Sequence, residues 1–408
     1  SLPPETAKVS EMIRGTVTIW VDRGIRVQQG MGFADRVIGS GFFIDKRGYI
    51  VTNHHVISSE VDPTYEGYSR LYIKMSDDPD TRIPARVVGW DPVFDLALLK
   101  TEVEPPYVFS LGSSTDIGVG DRIYAIGSPV GLDSTLTSGI VSAVNRKLFS
   151  LGGVLQIDAA INSGNSGGPI IDQDGAVQAI VFAGIEPYEG LNFAIPVEYL
   201  LLELNRLHEG GKVSHGWTGS FGNTRRDARA EVLYVMPGGS SSLAGLKPGE
   251  VIIAVDGEAV SSIEEVQRRL LVRMPGTIVR FTCVPPEGEM SSAEASERFI
   301  YLEQRPQNPG FDIYQRDLPE NYFLPLFGMT LVQTSMGLKK NYRVTSVIQG
   351  GVADESGFSV EDPFQLERVR ISPEEDAIMA EIYAKKRKNM FINVWLAIGA
   401  YLDSPGYF

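Results

Sequence analysis

Short apolar segments rich in Val, Ile, Phe and Tyr recur along residues 1 to about 205. They lie close to Gly, Pro, Asp or Asn, which favour turns, so each is predicted to form a strand. They do not alternate regularly with helical patterns, and this favours an all-β barrel or sandwich over a doubly wound sheet. The predicted strands are TVTIWV, SGFFID, YIVTNHHVI, RLYIKM, RIPARVVG, LALLK, DRIYAIG, GAVQAIVFA and LNFAIP.

Two further segments have different patterns. PVEYLLLELNRLHEGG, residues 196–211, has Leu at helical spacing before two glycines, so it is predicted to be a helix that closes the strand-rich region. The uncharged run from Asn389 to Leu402 contains 14 residues. A membrane helix needs about 20 residues, so this run is predicted to be a buried strand and not a membrane span.

The second half of the chain contains an internal repeat. VMPGGSSSLAGLKPGE, residues 235–250, aligns without gaps on VIQGGVADESGFSVED, residues 347–362, and three glycines coincide at an offset of 112 residues. Because chance rarely pairs three glycines in this way, the two regions are interpreted as copies of one module. RPQNPGFDIYQRDLPENYFLP lies between the copies and contains four prolines, which indicate a linker. The aligned positions are Gly238 with Gly350, Gly239 with Gly351, Gly245 with Gly357 and Leu246 with Phe358.

Each module is also predicted to contain a helix at a similar offset. Ser262 and Glu265 form a capping box in the first module. Ser372 and Glu375 form another in the second, with Pro373 at the first helical position.

Composition narrows the function classes. The 408 residues suggest two to four domains. A net charge of -14 argues against a general nucleic-acid binder, because no surplus of cations can neutralise phosphates. One interpretation of the basic cluster KKRK, residues 385–388, is an electrostatic patch for nucleic acid or lipid. The favoured interpretation is the end of the second predicted helix, which opens with acidic residues, because the helix dipole favours that order of charges. Cys283 is the single cysteine, so no intrachain disulfide can form. The chain starts at Ser1 without Met, so a processed N-terminus is expected, with any signal peptide or anchor upstream.

The stretch INSGNSGGPI, residues 161–170, surrounds Ser166 with glycines. One interpretation is an ordinary Gly/Ser/Asn turn. The other is a nucleophile on a tight loop, where the N–H groups of Gly164 and Ser166 converge on one point as an oxyanion hole. Gly167 and Gly168 would then let a substrate chain approach closely.

A nucleophilic serine needs a base, and the chain has four histidines. His208 and His215 fall at the end of the predicted closing helix and just after it. The base is therefore predicted to be His54 or His55 in IVTNHHVI. The alternative is a pair of histidines at the end of a strand, one of them exposed.

The carboxylate that orients the base has two candidates in DPVFDLALLK, Asp91 and Asp95. Asp95 directly precedes the apolar run LALL, so it is predicted to enter a core strand and lose contact with water. Asp91 precedes a proline in a turn and is predicted to be solvated. GNSGG also matches the G-x-S-x-G motif of α/β-hydrolases, in which the order is serine, acid, histidine. The order here is His55, Asp95, Ser166, as in chymotrypsin-like folds.

The motifs GSGFFIDKRGYIVTNHHVI, DLALLK, DAAINSGNSGGPI and LNFAIP resemble the HtrA/DegP family of serine proteases, and the glycine-rich repeats resemble its PDZ domains. The resemblance covers nearly the whole chain. In the family pattern T-N-x-H-V the last histidine is the base, which assigns His55 and leaves His54 at the variable position. The resemblance implies a triad of His55, Asp95 and Ser166, with oxyanion-hole N–H groups from Gly164 and Ser166.

The implied fold is mainly β. It consists of a chymotrypsin-like double β-barrel protease domain followed by two α+β PDZ domains. The predicted bounds are 1–210 for the protease domain, 213–305 for the first PDZ domain, 306–319 for the linker and 320–408 for a diverged second PDZ domain.

The implied chemistry is acyl transfer on a peptide bond, with no metal and no cofactor. In chymotrypsin-like folds the side chain six residues before the nucleophile lies at the base of the specificity pocket, and here it is Ala160. Because Ala160 offers no carboxylate to Lys or Arg, cleavage is expected after small or medium aliphatic residues. Leu191, Asn192 and Phe193 are expected to form a pocket wall and the strand that pairs with substrate.

The PDZ resemblance implies binding of extended peptides or C-termini by strand addition. In the first copy Trp217, Thr218, Gly219 and Ser220 occupy the carboxylate-binding loop, but Thr218 and Ser220 stand where the family usually has hydrophobic residues. LFGMTL, residues 326–331, fits the loop pattern better. That second copy diverges after the shared glycines and is expected to serve assembly more than ligand capture. The alternative is that both copies are structural modules that pack against neighbours.

The expected function is ATP-independent proteolysis of unfolded or damaged proteins in the periplasm or elsewhere outside the cytoplasm, as part of the stress response. The expected partners are unfolded polypeptides and peptide C-termini, and the expected assembly is a homotrimer or larger oligomer with the trimer contact in residues 1–20. One alternative is a regulated protease, with mobile loops at 128–139, 145–153 and 184–190, that a PDZ ligand activates. Another is a chaperone or scaffold that rarely cuts.

Overall fold

The computed structural model describes residues 6–113, 117–127, 135–147, 153–182, 192–286, 295–335, 340–372, 376–388 and 390–408. The chain divides into two compact units, Ser1–Val213 and Ser214–Phe408. Among the described residues, no helix is long and apolar enough to cross a membrane.

The first unit is built mostly of strands. Its helices are α1 (Thr6–Arg14), α2 (His54–Val61) and α3 (Val197–Glu209). Its strands are β1 (Thr16–Gln28), β2 (Met31–Phe43), β3 (Tyr49–Thr52), β4 (Arg70–Met75), β5 (Asp78–Pro84), β6 (Arg86–Asp91), β7 (Leu96–Lys100), β8 (Arg122–Gly127), β9 (Thr135–Lys147), β10 (Gly153–Ile157), β11 (Pro169–Ile171), β12 (Val177–Phe182), β13 (Asn192–Pro196) and β14 (Gly211–Lys212).

These strands form two sheets. The first has eight strands in the order β14-β6-β7-β3-β2-β1-β4-β5, and the second is a closed barrel in the order β10-β13-β12-β11-β8-β9. Each has its own apolar core, the first around Ile19, Phe43 and Leu99 and the second around Ile123 and Val181. The expectation of a mainly β fold with a barrel is confirmed, and so is the closing helix, which is α3.

Most of the predicted strands in this unit are present, and one is shorter than predicted. YIVTNHHVI is a strand only as far as Thr52, after which the chain turns at Asn53 into α2. Both histidines therefore lie on the first turn of a helix. The interpretation that they sit at the end of a strand is wrong.

The prediction that Asp91 is solvated is also wrong, because this side chain is fully buried. Its Oδ1 accepts hydrogen bonds from the N–H groups of Val93 (2.8 Å) and Phe94 (3.4 Å). The turn between β6 and β7 is covered by α3, where Tyr199 stacks on Phe94 with ring centroids 4.7 Å apart. The sequence correctly predicts a turn at Asp91, but a turn that lies under a helix does not face water.

The second unit contains the two repeated modules. Its helices are α4 (Ser240–Leu243), α5 (Ile263–Leu271), α6 (Pro309–Arg316), α7 (Pro319–Phe327) and α8 (Val352–Glu355). Its strands are β15 (Gly216–Trp217), β16 (Ser220–Thr224), β17 (Ala230–Val235), β18 (Val251–Val255), β19 (Glu258–Ala259), β20 (Ile278–Val284), β21 (Ser296–Tyr301), β22 (Glu303–Gln304), β23 (Met329–Gln333), β24 (Lys340–Val347), β25 (Pro363–Ser372), β26 (Ala377–Lys388) and β27 (Met390–Tyr401).

The internal repeat is visible in the backbone. Gly238 and Gly350 have φ angles of 72° and 74°, and Gly245 and Gly357 have φ angles of 78° and 79°. These are left-handed conformations that favour glycine. In the first module Gly238 and Gly245 flank the one-turn helix α4. In the second module Gly350 and Gly357 flank the one-turn helix α8. The aligned glycines are therefore required by the same turns in both copies.

The two modules differ after this shared part. In the first, Ser262 Oγ accepts a hydrogen bond from Glu265 N (3.1 Å) at the start of α5, so the predicted capping box begins a helix. In the second, the predicted helix after Ser372 is wrong. Pro373 and Glu375 lie outside the described residues, and the chain continues as β26, which includes residues 385–388. The KKRK cluster is therefore not at a helix end.

The rest of β26 explains this difference. Residues 377–384 pair with both β25 and β27, and every second side chain from Ile378 to Ala384 is buried. Strand pairing and burial therefore outweigh the local capping signal. The run from Asn389 to Leu402 is mainly β27, as predicted, but Trp395 and Tyr401 on this strand are exposed.

The segment predicted as a linker is helical instead. Pro309 and Pro319 begin α6 and α7, where a proline at the first helical position is favourable because its missing N–H is not needed. Ile313 on α6 is completely buried. The prolines start helices here and do not mark an extended connection.

The second unit has two apolar cores. One belongs to the first module and includes Phe281 and Cys283, and burial raises the pKa of the Cys283 thiol to about 12. The other contains the residues of the second module together with Trp217 and Met236 of the first. The modules therefore share a core and form one packed body.

Candidate active site

The segment TNHHV connects β3 to α2 and holds a carboxylate at the start of the helix. Asn53 is the N-cap residue, but its side chain does not cap the helix. Its Nδ2 donates to the backbone oxygen of Asp95 (3.1 Å), and His54 N donates to the same oxygen (3.2 Å). The loop before β7 is therefore fixed against the first turn of α2.

The Asp95 side chain binds His55 through both carboxylate oxygens. Oδ1 accepts from the backbone N–H of His55 (2.8 Å) and Oδ2 from Nδ1 of its imidazole (2.7 Å). A carboxylate at a helix N-terminus is also favoured by the helix dipole. Because Nδ1 donates to Asp95, the lone pair lies on Nε2, which is the arrangement that a general base requires.

Asp95 has a strained backbone with a φ of 52°. This left-handed conformation costs a non-glycine residue about 1–3 kcal/mol and persists only where the surroundings hold it. Here β7 follows at once and pairs with both β3 and β6. The prediction that Asp95 is desolvated is confirmed, because the residue is buried and the LALL run behind it is fully buried. The prediction that it enters a core strand is wrong, because Asp95 lies in the turn before β7, which begins at Leu96.

The pKa values of the two histidines shift in opposite directions. Partial burial lowers the pKa of His55, but the charge of Asp95 and its hydrogen bond raise it further, so the net shift is upward. For His54, burial lowers the pKa more than the charges of Asp95 and Asp91 raise it. The His55 side chain is 43% exposed, so it can be reached from solution. Of the two histidines, His55 is the one with the carboxylate partner.

The loop that carries Ser166 is pinned to the first sheet. Residues Ser163–Asn165 make one 3₁₀ turn. Ser40 on β2 then fixes the loop at two points, because its N–H donates to Ser166 O (2.8 Å) and its Oγ donates to Gly164 O (2.7 Å). The barrel loop and the first sheet are thus joined next to the serine.

Gly167 allows this close approach. Its φ is 86°, and a Cβ atom there would lie 2.3 Å from Ser40 O and 2.4 Å from Thr52 Oγ1. It would also lie 3.0 Å from Asn53 N, the residue just before the two histidines. The glycine therefore brings the Ser166 loop against the segment that carries His55.

A second contact also links the loop and the imidazole. Gly167 N donates to Val181 O on β12 (2.9 Å). The next residue, Phe182, meets the His55 ring edge to face with centroids 6.0 Å apart. These contacts bring the Ser166 loop next to the paired His55 and Asp95.

The Ser166 hydroxyl itself has no bond to the imidazole. The residue is 2% exposed, and its Oγ has no hydrogen-bond partner among the described residues. Leaving a buried hydroxyl unpaired costs about 1–3 kcal/mol, so such a group needs an explanation. Catalytic hydrogen bonds are often absent from apo sites and form only with substrate.

The expected pocket residues are partly described. Thr137 Oγ1 donates to Ala160 O (3.1 Å), and Asn192 Nδ2 donates to Ala159 O (2.8 Å), so Ala160 and Asn192 are near neighbours. Leu191 lies outside the described residues. Phe193 is buried and pairs with both β10 and β12 inside the closed barrel. A residue paired on both sides offers no free strand edge to a substrate, so this part of the expectation is wrong for Phe193.

The expected mobile loops are also partly described. Residues 135–139 and 145–147 belong to β9, and residue 153 begins β10. The remaining residues of the segments 128–139 and 145–153, and all of 184–190, lie outside the described residues. The role of Gly164 and Ser166 as oxyanion donors stays a prediction.

The expected carboxylate-binding loop of the first module lies between β15 and β16. Gly219 has a φ of 77°, and its oxygen accepts from Met236 N (2.8 Å). Thr218 and Ser220 are fully buried, and Trp217 packs in the core shared with the second module.

Sequence reasoning missed the residues that hold the site together. The sequence predicts no role for Ser40, Thr52, Asn53 or Phe182. The TN of the family pattern T-N-x-H-V is the available signal for Thr52 and Asn53. Spacing gave none for Ser40 or Phe182, because their contacts arise from the packing of two sheets.

Comparison with known families settles the domain content. Residues 39–180 match the trypsin-like peptidase domain, residues 231–284 match a PDZ domain, and residues 310–402 match the TP0546 family PDZ domain. The chain combines a trypsin-like peptidase domain with two PDZ domains. The first module is called PDZ 1 below, and the second PDZ 2.

The peptidase–PDZ chain is similar to curated relatives named probable periplasmic serine endoprotease DegP-like. The protein from Halomonas elongata is 37% identical over 268 residues, which are 62% of this chain and 54% of the relative. The protein from Hahella chejuensis is 33% identical over 309 residues, which are 69% of this chain and 64% of the relative. The chain thus spans less than two thirds of the length of these relatives.

Solved structures give the same result. The HtrA-type protease AlgW with tripeptide has a TM-score of 0.61 and 27% identity, and the match covers 74% of this chain and 98% of that one. The serine endoprotease from Yersinia pestis has a TM-score of 0.55 and 27% identity, with 75% and 100% covered. The resemblance to HtrA/DegP proteases is confirmed.

Proposed function

We propose that the chain is an ATP-independent serine endopeptidase of the HtrA/DegP type that cuts unfolded or damaged proteins outside the cytoplasm. The observation that carries this proposal is the pair of hydrogen bonds from His55 to the Asp95 carboxylate, next to the Ser166 loop that Ser40 holds. The similarity to relatives named periplasmic serine endoproteases supports the activity and the location.

In the proposed reaction, Ser166 Oγ attacks the carbonyl carbon of the scissile peptide bond and passes its proton to Nε2 of His55. Asp95 fixes the tautomer of His55 and stabilises the imidazolium that forms. The imidazolium then gives its proton to the leaving amine. A water molecule hydrolyses the acyl-enzyme by the same proton path in reverse.

The tetrahedral intermediate carries a negative oxygen, and the N–H groups of Gly164 and Ser166 are the proposed donors to it. Each such donor contributes about 3–4 kcal/mol in comparable enzymes. At the other side of the site, Ala160 is proposed to lie at the base of the pocket. A small uncharged residue there selects small or medium aliphatic side chains before the cut.

PDZ 1 is proposed to bind extended peptides or C-termini by adding them as a strand to β16. Solved structures of the HtrA-type protease AlgW with a tripeptide and with a decapeptide support this role. The chain is also proposed to form a homotrimer or a larger oligomer through residues 1–20, as its HtrA/DegP resemblance implies.

Digestion of unfolded casein tests the proposal. The wild type should produce fragments, and Ser166→Ala should lower the rate by at least about 10⁴-fold, because the nucleophile is lost. Ser242→Ala, an exposed position on α4, is the matched control and should cut like the wild type. Mass spectrometry of the fragments should show cuts after small or medium aliphatic residues. Frequent cuts after Lys or Arg would contradict the pocket assignment.

The unpaired Ser166 hydroxyl favours a second candidate, a regulated peptidase whose site is completed only when a ligand binds. In that case casein is cut only after a C-terminal peptide is added. Equal and negligible cutting by wild type and Ser166→Ala, with and without peptide, would instead indicate a binding protein.

A further inference from the structure

The last residues of the chain turn back onto PDZ 1. After β27, Ser404 begins a tight turn, in which its N–H binds Asp403 Oδ1 (2.8 Å) and its oxygen accepts from Tyr407 N (3.2 Å). Arg305 holds the start of this turn through an ion pair with Asp403 at 2.6 Å, and both side chains are largely buried. Residues 404–408 are called the return segment below.

The return segment lies along β16 as an added antiparallel strand. Gly222 N donates to Gly406 O (3.0 Å), Phe408 N donates to Ser220 O (3.0 Å), and Tyr407 pairs with Phe221. β16 is the end strand of the PDZ 1 sheet, whose order is β16-β17-β18-β20-β21. The segment therefore takes the edge at which strand addition to PDZ 1 would occur.

The oxygen of Phe408 lies in the predicted carboxylate-binding loop. It accepts from Ser220 N (3.1 Å), Thr218 N (3.4 Å) and Thr218 Oγ1 (2.6 Å). Gly219 between them has the left-handed φ that lets both N–H groups point the same way. Thr218, which departs from the usual hydrophobic pattern, supplies a third donor through its side chain.

The Phe408 side chain fills the space between β16 and α5. It is 2% exposed and belongs to the PDZ 1 core, with its ring centroid 6.2 Å from that of Phe281. From α5, Gln267 Nε2 donates to Tyr407 O (3.0 Å). The segment is thus held by the strand on one side and the helix on the other.

The middle of the segment belongs to PDZ 2. Tyr407 is fully buried in the core of that module, and its Oη donates to Pro325 O (3.2 Å) on α7. Gly406 fits where no larger residue can, because a Cβ there would lie 2.4 Å from the Phe221 ring and 2.8 Å from Gly222 O. Release of the segment from PDZ 1 would therefore also disturb PDZ 2.

We propose that the return segment is a resident ligand of PDZ 1, which an outside peptide must displace before it can bind. This inference rests on the proposed role of PDZ 1 in peptide binding. The outside ligand class follows from the resident one: peptides with an aromatic residue at the position of Phe408 and a small residue two positions earlier. Such a peptide places the oxygen of its aromatic residue on Thr218 and Ser220 and the ring of that residue against α5.

The effect on affinity is large because the resident ligand is tethered. A short tether gives a local ligand concentration of about 1 mM. For an intrinsic Kd of about 100 μM or tighter, the ratio of local concentration to Kd is at least about ten. An outside peptide of similar sequence is therefore expected to bind the intact chain at least about tenfold more weakly than it binds a chain with the groove freed.

Gly406→Val tests this in the full chain, because it excludes the segment while every residue of the groove keeps its identity. Ser166→Ala is included throughout to prevent cutting of the peptide. The matched control is Gly399→Val on β27, where a Cβ meets only Ile378 O at 3.9 Å. The probe is a labelled LDSPGYF peptide, followed by fluorescence anisotropy. Hydrogen exchange of β16 is measured in parallel, because Ser220 N and Gly222 N are bonded to the segment.

The expected result is at least tenfold tighter peptide binding and faster β16 exchange in Gly406→Val, with no change in Gly399→Val. Equal β16 exchange and equal peptide affinity in the Ser166→Ala parent, Gly406→Val and Gly399→Val would overturn the inference. Faster exchange without peptide binding would show that the segment occupies the groove, and the proposed peptide-binding role of PDZ 1 would be the part that fails. Loss of the circular dichroism signal in Gly406→Val calls for Phe408→Ala, which removes the ring that fills the groove and should give the same two changes.

Discussion

The contact between Asp95 and His55 makes one substitution especially informative. In Asp95→Asn the side chain keeps its shape, and its oxygen can still accept from His55 N. The amide nitrogen then replaces the oxygen that lies 2.7 Å from His55 Nδ1. Both groups would be donors, so the imidazole must carry its proton on Nε2 instead. Nε2 in that tautomer has no lone pair to accept the proton of Ser166.

The expected loss is large, and the fold should survive it. Reversing the tautomer in a triad of this kind lowers kcat by about 10⁴-fold, or about 5 kcal/mol in the free energy of the transition state. The assay is the kcat of a fluorogenic casein digest at fixed pH, with thermal unfolding measured alongside.

The matched control is Asp45→Asn, because Asp45 pairs with Arg47 in a surface turn and lies outside the site. It should leave the rate unchanged. If Asp95→Asn retains more than a tenth of the wild-type rate while both variants remain folded, then the Asp95 contact does not set the tautomer and the reasoning is wrong.

Three further expectations concern single groups. Because the pKa of His55 is raised, activity should fall as the pH drops, with a midpoint above 6.5 in a pH–rate profile; a midpoint below 6.5 would contradict the shift. Gly167→Ala should lower the urea midpoint of unfolding much more than Gly120→Ala does. Both positions have a positive φ, but a Cβ at Gly120 meets nothing within 4 Å. Equal losses would mean that backbone strain, about 1–2 kcal/mol, is the whole effect and that the close approach at Gly167 does not matter. Ser262→Ala should cost about 1 kcal/mol in urea unfolding through loss of the bond to Glu265 N, and an unchanged midpoint would rule out a capping role.

The chemistry-bearing residues were predictable because their signals are local. Asp95 stands directly before an apolar run, and that position alone predicted a desolvated carboxylate, which the structure has. The order of histidine, aspartate and serine separated two serine hydrolase folds without any contact information. The repeat was equally visible, since positive-φ glycines recur wherever the same turn recurs.

The errors arose where packing over long distances decided the outcome. Asp91 has the sequence of a surface turn, yet α3 covers it. Ser372 has a good capping signal, yet pairing of β26 with β25 and β27 outweighs it. Pro309 begins a helix that a linker prediction excluded. Asp91 and Ser372 show the same cause: the segments that decide their surroundings are brought to them by the fold and are not visible in the local sequence.

The return segment could not have been foreseen at all. Its last two residues, Tyr407 and Phe408, have no periodicity to interpret and follow a proline and a glycine. Only the fold shows that one ring completes the core of PDZ 1 and the other that of PDZ 2.

The buried thiol of Cys283 has a practical consequence for all of these experiments. A thiol with a pKa of about 12 is almost never a thiolate near neutral pH, so alkylating reagents should not modify it while β20 stays in place. Cysteines introduced on the surface could therefore carry a fluorescent label without removal of the native one. Slow alkylation of Cys283 itself would report how often the interior of PDZ 1 becomes accessible to solvent.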